Sequence, residues 1–174
     1  MKRSQGSLGI SLVECINRYT GKYRIRWDIK EENNSESVEK ENNLVSFYET
    51  EAIFNKPPTL LEIKNAVYEA INRDTDEKIL GGFIWNDMEV WLSIENQFNY
   101  KSAYDLAVQK EGETLPVTFK FGTTEEPVYH IFETLTELEE FYSAAVKYVS
   151  ETLSAGWVMK DSIDWEDYRP FARQ

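Results

Sequence analysis

The chain has 174 residues, of which 41% are hydrophobic and 14% aromatic, which is enough for one substantial core and excludes an intrinsically disordered protein. Its formal net charge of −12 disfavours contact with nucleic acid or with an anionic membrane surface, because like charges repel. Cys15 is the only cysteine, so no internal disulfide can form. We expect a soluble protein of the cytoplasm, with no signal peptide and no membrane span.

The first thirty residues differ from the rest in charge. They hold seven Lys and Arg against two acidic residues, and the remaining 144 residues carry −17. Residues 7–16 and 22–29 flank a turn ending in Gly21, which predicts a β-hairpin. A lone hairpin is marginal in water, so we interpret residues 1–30 as a basic docking element. Its partner-binding cations would be Arg18, Lys22, Arg24 and Arg26. The alternative is that these cations form a solvated face.

Residues 31–55 are predicted to be an acidic linker followed by an extended segment. The body, residues 56–174, then begins with two prolines and a capping box formed by Thr59 and Glu62. Apolar residues at helical spacing follow this box. They predict a short helix over residues 60–72, with a polar connection after it.

Residues 82–92 predict a tight hairpin with Asn-Asp as its two-residue turn. This turn places Trp85 opposite Met88 and Phe83 opposite Val90. All four side chains then lie on one apolar face, which we predict to be core.

Two helices and a second hairpin complete the predicted body. Ser93 is expected to cap the first helix. Residues 115–121 and 128–132 are predicted to be the two strands of the hairpin. A second capping box starts the longest helix after Thr134, and we expect Gly156 to end it.

The predicted fold class is α+β. From residue 81 the elements follow the order ββαββα, and the economical packing is a four-stranded antiparallel sheet covered on one face by two helices. An N-terminal β-hairpin and a short helix would precede this arrangement.

The sequence predicts no catalytic residue, no metal site and no cofactor. No spacing is typical of a metal, phosphate, dinucleotide or nucleophile motif, and His130 is the only histidine. The acidic residues between Asp161 and Asp167 lack the spacing of a calcium loop and are interpreted as a solvated helix end. We therefore expect a protein that is not an enzyme and that binds no small molecule.

Trp91 is the one aromatic residue that remains a candidate ligand-binding group. The hairpin register puts it opposite Gly82, where the missing side chain leaves room for the indole to lie across the backbone. Trp85, Tyr100 and Tyr104 are instead predicted to lie in the core.

The run Gly81 to Asn99, the segment Leu115-Pro-Val-Thr-Phe-Lys and the downstream Gly156-Trp157 resemble an uncharacterised domain family of tailed-phage and prophage proteins. The resemblance implies a tail-associated or fibre-associated setting and no established activity. It favours a non-enzymatic structural component of the particle that docks to other virion proteins as a homo- or hetero-oligomer. Its location would be the virion tail, after synthesis in the cytoplasm of the bacterial host. A tail fibre assembly chaperone and a glycan- or receptor-binding module remain open as alternatives.

Overall fold

The computed structural model describes residues 1–32 and 44–173. It divides into two compact units: unit 1 comprises residues 1–73 and 157–174, and unit 2 comprises residues 74–156. The α+β class is confirmed. The units differ from the predicted division at residues 30 and 55. Residues 33–43, the middle of the predicted acidic linker, lie outside the described residues.

Unit 1 is built on a four-stranded antiparallel sheet. Its strands are β1 (Ser4–Ser7), β2 (Val13–Asn17), β3 (Lys22–Glu31) and β4 (Leu44–Ile53), in the spatial order β1-β4-β3-β2. The predicted hairpin is present as β2 and β3. However, β3 also pairs with β4 from Lys22 opposite Ile53 to Glu31 opposite Val45. The hairpin is therefore part of a four-stranded sheet and not a separate two-stranded ribbon.

The first helix, α1 (Leu60–Gly81), begins at the predicted capping box. The Glu62 carboxylate accepts a hydrogen bond from the Thr59 backbone N–H (2.7 Å), and Thr59 Oγ1 accepts one from the Glu62 N–H (3.3 Å). The prediction that the helix ends at residue 72 is wrong. It continues because Asp74 and Lys78 form an ion pair one turn apart (2.8 Å) and Ile79 packs on the core of unit 2.

The core of unit 1 lies between the sheet, α1 and the C-terminal tail. Its fully buried members include Ile25 and Trp27 from β3 and Ile63, Val67 and Ile71 from α1. The tail forms a 3-10 helix, Glu166–Phe171, which places Tyr168 in this core. The Tyr168 hydroxyl donates a hydrogen bond to the backbone carbonyl of Arg26 (2.7 Å). The C-terminal residues of the chain thus complete the core of unit 1.

Unit 2 contains the predicted series of hairpin, helix, hairpin and helix. Its elements are β5 (Phe83–Trp85), β6 (Met88–Val90), α2 (Ile94–Gln109), β7 (Val117–Gly122), β8 (Pro127–Phe132) and α3 (Leu135–Asp161), whose last residues from 157 belong to unit 1. The hairpins form two separate two-stranded sheets, with β6 next to β7, and not the single sheet predicted. Strands of only three residues, as in β5 and β6, offer few backbone groups for a further ladder.

The register of the first hairpin in unit 2 is confirmed. Phe83 pairs with Val90 and Trp85 with Met88. Both turn residues have positive φ, 47° at Asn86 and 62° at the next residue, as a type I′ turn requires. The prediction for Gly82 is wrong by one residue, because the Trp91 indole lies against the preceding glycine and Gly82 packs under the Tyr148 hydroxyl.

Both helices of unit 2 start where the sequence predicts. Ser93 Oγ accepts a hydrogen bond from the Asn96 N–H (3.2 Å), and Thr134 Oγ1 accepts one from the N–H three residues on (3.2 Å). The prediction that Gly156 ends α3 is wrong, since the helix runs on to Asp161. Gly156 is buried, and a Cβ atom there would lie 2.6 Å from Thr75 Oγ1. This glycine permits a close approach to α1 instead of ending the helix.

The core of unit 2 is aromatic. Phe141 of α3 lies at its centre, with ring centroids 5.1–6.3 Å from those of six neighbours: Phe83, Trp85, Tyr100, Phe119, Phe121 and Phe132. Burial raises the pKa of Tyr100 to about 12. The predicted core positions of Trp85 and Tyr100 are confirmed.

Candidate functional site

Two of the predicted docking cations share one carboxylate inside the unit 1 sheet. Arg24 Nη2 lies 2.7 Å from Glu51 Oε1, and Lys22 forms an ion pair with the same glutamate. The hydrogen bonds from Lys22 and Arg24 hold the pKa of Glu51 below its ordinary value. The cross-strand register of β3 and β4 places these charges together, so they are largely neutralised within the sheet.

Arg26 is not available to a partner, because it is only 4% exposed. Its Nη2 lies 2.8 Å from Glu14 Oε2, its Nε lies 3.4 Å from Glu49 Oε2, and its Nη1 donates to the Ser11 carbonyl (2.9 Å). Arg18, in the turn between β2 and β3, is the one exposed member of the predicted set without an ion pair among the described residues. The basic surface predicted for the hairpin is thus reduced to one arginine.

Counted by structural unit, the negative charge falls almost entirely on unit 2. Residues 74–156 hold 16 Asp and Glu against 5 Lys and Arg, a formal charge of −11, which leaves unit 1 at −1. The basic start of the chain, +5, is balanced within its own unit mainly by residues 31–43, which carry −4. Electrostatics therefore favour basic partners for unit 2.

His130 lies in β8 among aromatic rings. Its Nε2 is 2.9 Å from Glu137 Oε1, and its ring stacks on Phe121 and meets Phe132 edge to face. The Glu137 carboxylate therefore contacts this imidazole and does not accept the hydrogen bond from the Thr134 N–H that a full capping box would have. These contacts favour a structural role for His130.

The acidic tail also has a structural role. Asp164 accepts a hydrogen bond from the Glu166 N–H (2.9 Å), and Glu166 forms an ion pair with Arg169. Across residues 1–32 and 44–173 no three His, Cys, Asp or Glu side chains converge on a point where a metal ion would bind. In the same ranges no helix is both long enough and apolar enough to cross a membrane.

Unit 2 has a groove between α2 and α3 with a mainly apolar lining and a volume of about 390 Å³. We call it the α2–α3 groove. Its α3 wall consists of Tyr142, Ala145, Val146, Val149, Ser150 and Leu153. Its α2 wall consists of Gln97, Phe98, Tyr100 and Lys101, and Leu92 lies at the base.

Exposed hydrophobic side chains rim this groove. Phe98 is 68% exposed and Val146 is 48% exposed, and Ile94, one turn before Phe98, is 83% exposed. Sequence reasoning missed the groove because it placed only one stripe of α2 in the core. The signal was the pair Ala145 and Val146, which makes the apolar stripe of α3 wider than one packing face needs.

A second groove surrounds Trp91, the predicted ligand-binding residue. It has a volume of about 400 Å³, and we call it the Trp91 groove. The end of β6, the end of β7 and the turn after β7 form its walls, and Asn96 of α2 also lines it. The indole is 52% exposed. Unlike the α2–α3 groove, it is lined by charged and hydroxyl side chains: Glu89, Lys120, Thr123, Thr124 and Glu125.

Fold and sites together define an α+β protein of two compact units, and the α2–α3 groove and the Trp91 groove are both on unit 2. The chain belongs to the family described as Domain of unknown function (DUF4376), whose model matches residues 62–172. No curated protein and no solved structure shows significant similarity to the chain. The family match includes all of unit 2, most of α1 and most of the C-terminal tail, and it leaves out the four-stranded sheet.

Proposed function

We propose that this protein is a non-enzymatic component of a tailed phage or prophage particle, associated with the tail or its fibres, that docks to another virion protein through the α2–α3 groove. The particle setting rests on the sequence resemblance described above. The docking surface rests on one observation, the exposed apolar groove between two helices of unit 2. A groove replaces the basic hairpin as the docking element because the hairpin cations are paired within their own sheet.

The groove has the form that accepts a helix. Its α3 residues recur at intervals of three and four positions from Tyr142 to Leu153, a span of about 16 Å or three helical turns. Two neighbouring helices with an apolar valley between them accept the apolar face of a third. Burying Phe98 under such a helix contributes roughly 1.5–3 kcal/mol.

The occupant we propose is a basic amphipathic helix of a partner protein. Unit 2 carries −11, so a second copy of this chain would meet strong like-charge repulsion, whereas a basic segment would be attracted. The groove rim itself carries Lys101 paired with Asp105, which leaves it close to neutral. Long-range charge thus brings the partner to unit 2, and the apolar groove holds it.

Val146→Asp tests the groove, with Val158→Asp as its matched control. Both valines are exposed residues of α3, and Val158 lies outside the groove. We expect Val146→Asp to reduce the amount of protein in density-purified particles by about tenfold, because a charge would be buried against the partner. Val158→Asp should leave incorporation unchanged. Equal incorporation of both variants would contradict the groove as the docking surface.

Arg18→Glu tests the remaining cation of the hairpin in the same experiment. Loss of incorporation in this variant alone would restore the hairpin as the docking element. Self-association through the groove would show as a dimer of the purified protein that Val146→Asp dissociates, measured by analytical ultracentrifugation.

The assembly chaperone is separated from the structural component by mass spectrometry of finished particles. A structural component is retained in them, whereas a chaperone is absent although its deletion lowers the yield of infective particles. If the protein is absent and its deletion leaves that yield unchanged, the particle proposal is wrong.

A further inference from the structure

We propose that the Trp91 groove binds a neutral sugar unit of a glycan. The site is separate from the α2–α3 groove, and this inference stands whether or not the protein belongs to a phage particle. Its volume of about 400 Å³ falls within the usual range for small-ligand sites, roughly 300–1,000 Å³.

The aromatic face of Trp91 is exposed and held in place from behind. The indole lies against Gly81, where a Cβ atom would come within 3.2 Å of ring carbon Cζ3. The Asn96 side chain donates a hydrogen bond to the Trp91 carbonyl (2.8 Å) and ties the residue to the first turn of α2. A large flat side chain with little freedom to move loses little entropy when a ligand stacks on it.

Three charged side chains around the indole make no hydrogen bond or ion pair within residues 1–32 and 44–173. Among the described residues, no hydrogen bond or ion pair occupies Glu89, Lys120 or Glu125. This contrasts with the sheet of unit 1, where Lys22 and Arg24 are paired with Glu51. Two carboxylates that accept hydrogen bonds and one ammonium that donates them thus remain available beside one aromatic face.

This combination matches the two chemistries of a sugar ring. One face of a pyranose presents C–H groups that pack on an aromatic plane, while its edge presents hydroxyl groups that both donate and accept hydrogen bonds. Carboxylates are strong acceptors for hydroxyl donors. An apolar ligand would leave Glu89 and Lys120 desolvated without partners, which costs free energy.

Charge restricts the sugar to a neutral one. Glu89 and Glu125 outweigh Lys120 within the groove, and the surrounding unit carries −11. A sialic acid, a uronic acid or a phosphorylated sugar would be repelled. Neutral hexoses and N-acetylhexosamines carry the hydroxyl groups without this penalty.

A glycan array probed with the full-length protein tests the inference. The array should carry oligosaccharides of neutral hexoses and N-acetylhexosamines beside sialylated and uronic acid-containing ones. Trp91→Ala should lower binding to the best neutral glycan by about tenfold or more, and Trp91→Phe should retain part of it. Trp157→Ala is the matched control, because Trp157 is 57% exposed and does not line the groove, and it should bind like the unchanged protein.

Titration of the protein with the glycan, followed by NMR, shows whether the ligand binds at Trp91. The best neutral oligosaccharide should shift the indole Nε1–H resonance of Trp91, assigned by its loss in Trp91→Phe, and leave that of Trp157 in place. An unchanged thermal midpoint of each variant shows that the fold is intact. Binding to no neutral glycan, a preference for anionic glycans, or equal loss in Trp91→Ala and Trp157→Ala would each overturn the proposal.

Discussion

The position of a residue in the sheet decides whether its side chain is buried and paired or exposed to a partner. Arg26 is basic in the sequence, yet its guanidinium is buried and contacts Glu14, Glu49 and a backbone carbonyl. Trp91, in contrast, lies on an apolar run of sequence and is half exposed. The pairing register of the neighbouring strand decides whether a charged side chain meets an opposite charge. The identity of a basic residue does not reveal that register. The hairpin cations could therefore be located from the sequence, but not their partners.

At the residue scale, we predict that Glu51 adds acid sensitivity to unit 1. Lys22 and Arg24 lower its pKa in the folded protein. Its contribution to stability is therefore complete above the unfolded pKa of about 4.3 and is lost as the pH falls through the lower folded value. An NMR titration of the Glu51 carboxyl carbon should give a midpoint below about 4.3.

The matching variant is Glu51→Gln. Urea unfolding should show a smaller loss of stability between neutral and acidic pH for this variant than for the unchanged protein. A Glu51 midpoint at or above that of a free glutamate would contradict the assignment.

At the scale of elements, local patterns predict where helices start better than where they end. The caps at Thr59, Ser93 and Thr134 are all confirmed, because a cap is satisfied within three residues of sequence. Both predicted helix ends, at residues 72 and 156, are wrong. Each helix continues because of contacts made at a distance along the chain, and such contacts leave no local pattern. The separate hairpin sheets of unit 2 were missed for the same reason.

Gly156→Ala tests the close approach between α3 and α1. In an exposed helix this change adds about 1 kcal/mol of stability. Here the added Cβ would lie 2.6 Å from Thr75 Oγ1, so we expect the change to lower the free energy of unfolding by roughly 1–3 kcal/mol. Urea denaturation of the full chain measures the difference.

A double-mutant cycle with Thr75→Ala separates crowding from other effects. Removing Oγ1 should recover a large part of the stability lost in Gly156→Ala. If the two changes add without coupling, the close approach is not the reason for the glycine.

At the scale of the whole molecule, the structural units do not follow the order of the sequence, because unit 1 combines the two ends of the chain. Charge counted along the chain indicates a basic start and an acidic remainder, whereas the two units carry −1 and −11. The difference arises because residues 31–73 and 157–174, which together carry −6, belong to the same unit as the basic N-terminal strands. The α+β class and the hairpin register follow from the sequence. The grooves do not, since each is formed by residues from elements that only the fold brings together.

Removal of residues 157–174 tests this arrangement. Tyr168 is 3% exposed in the core of unit 1, so a chain ending at residue 156 should lose the packing of Ile25 and Trp27. We expect amide protection in β3 and β4 to fall to near zero by hydrogen exchange while α2 and β7 stay protected. Equal protection of both units in the truncated chain would contradict the division.

The boundary of the family match has a practical and an evolutionary consequence. Residues 62–172 include the α1 positions Ile63, Val67 and Ile71 but not the strands that cover them. A fragment cut at the limits of the family match would therefore expose these apolar side chains to water and tend to aggregate. A relative that shared only this region would need other residues to cover the same face of α1.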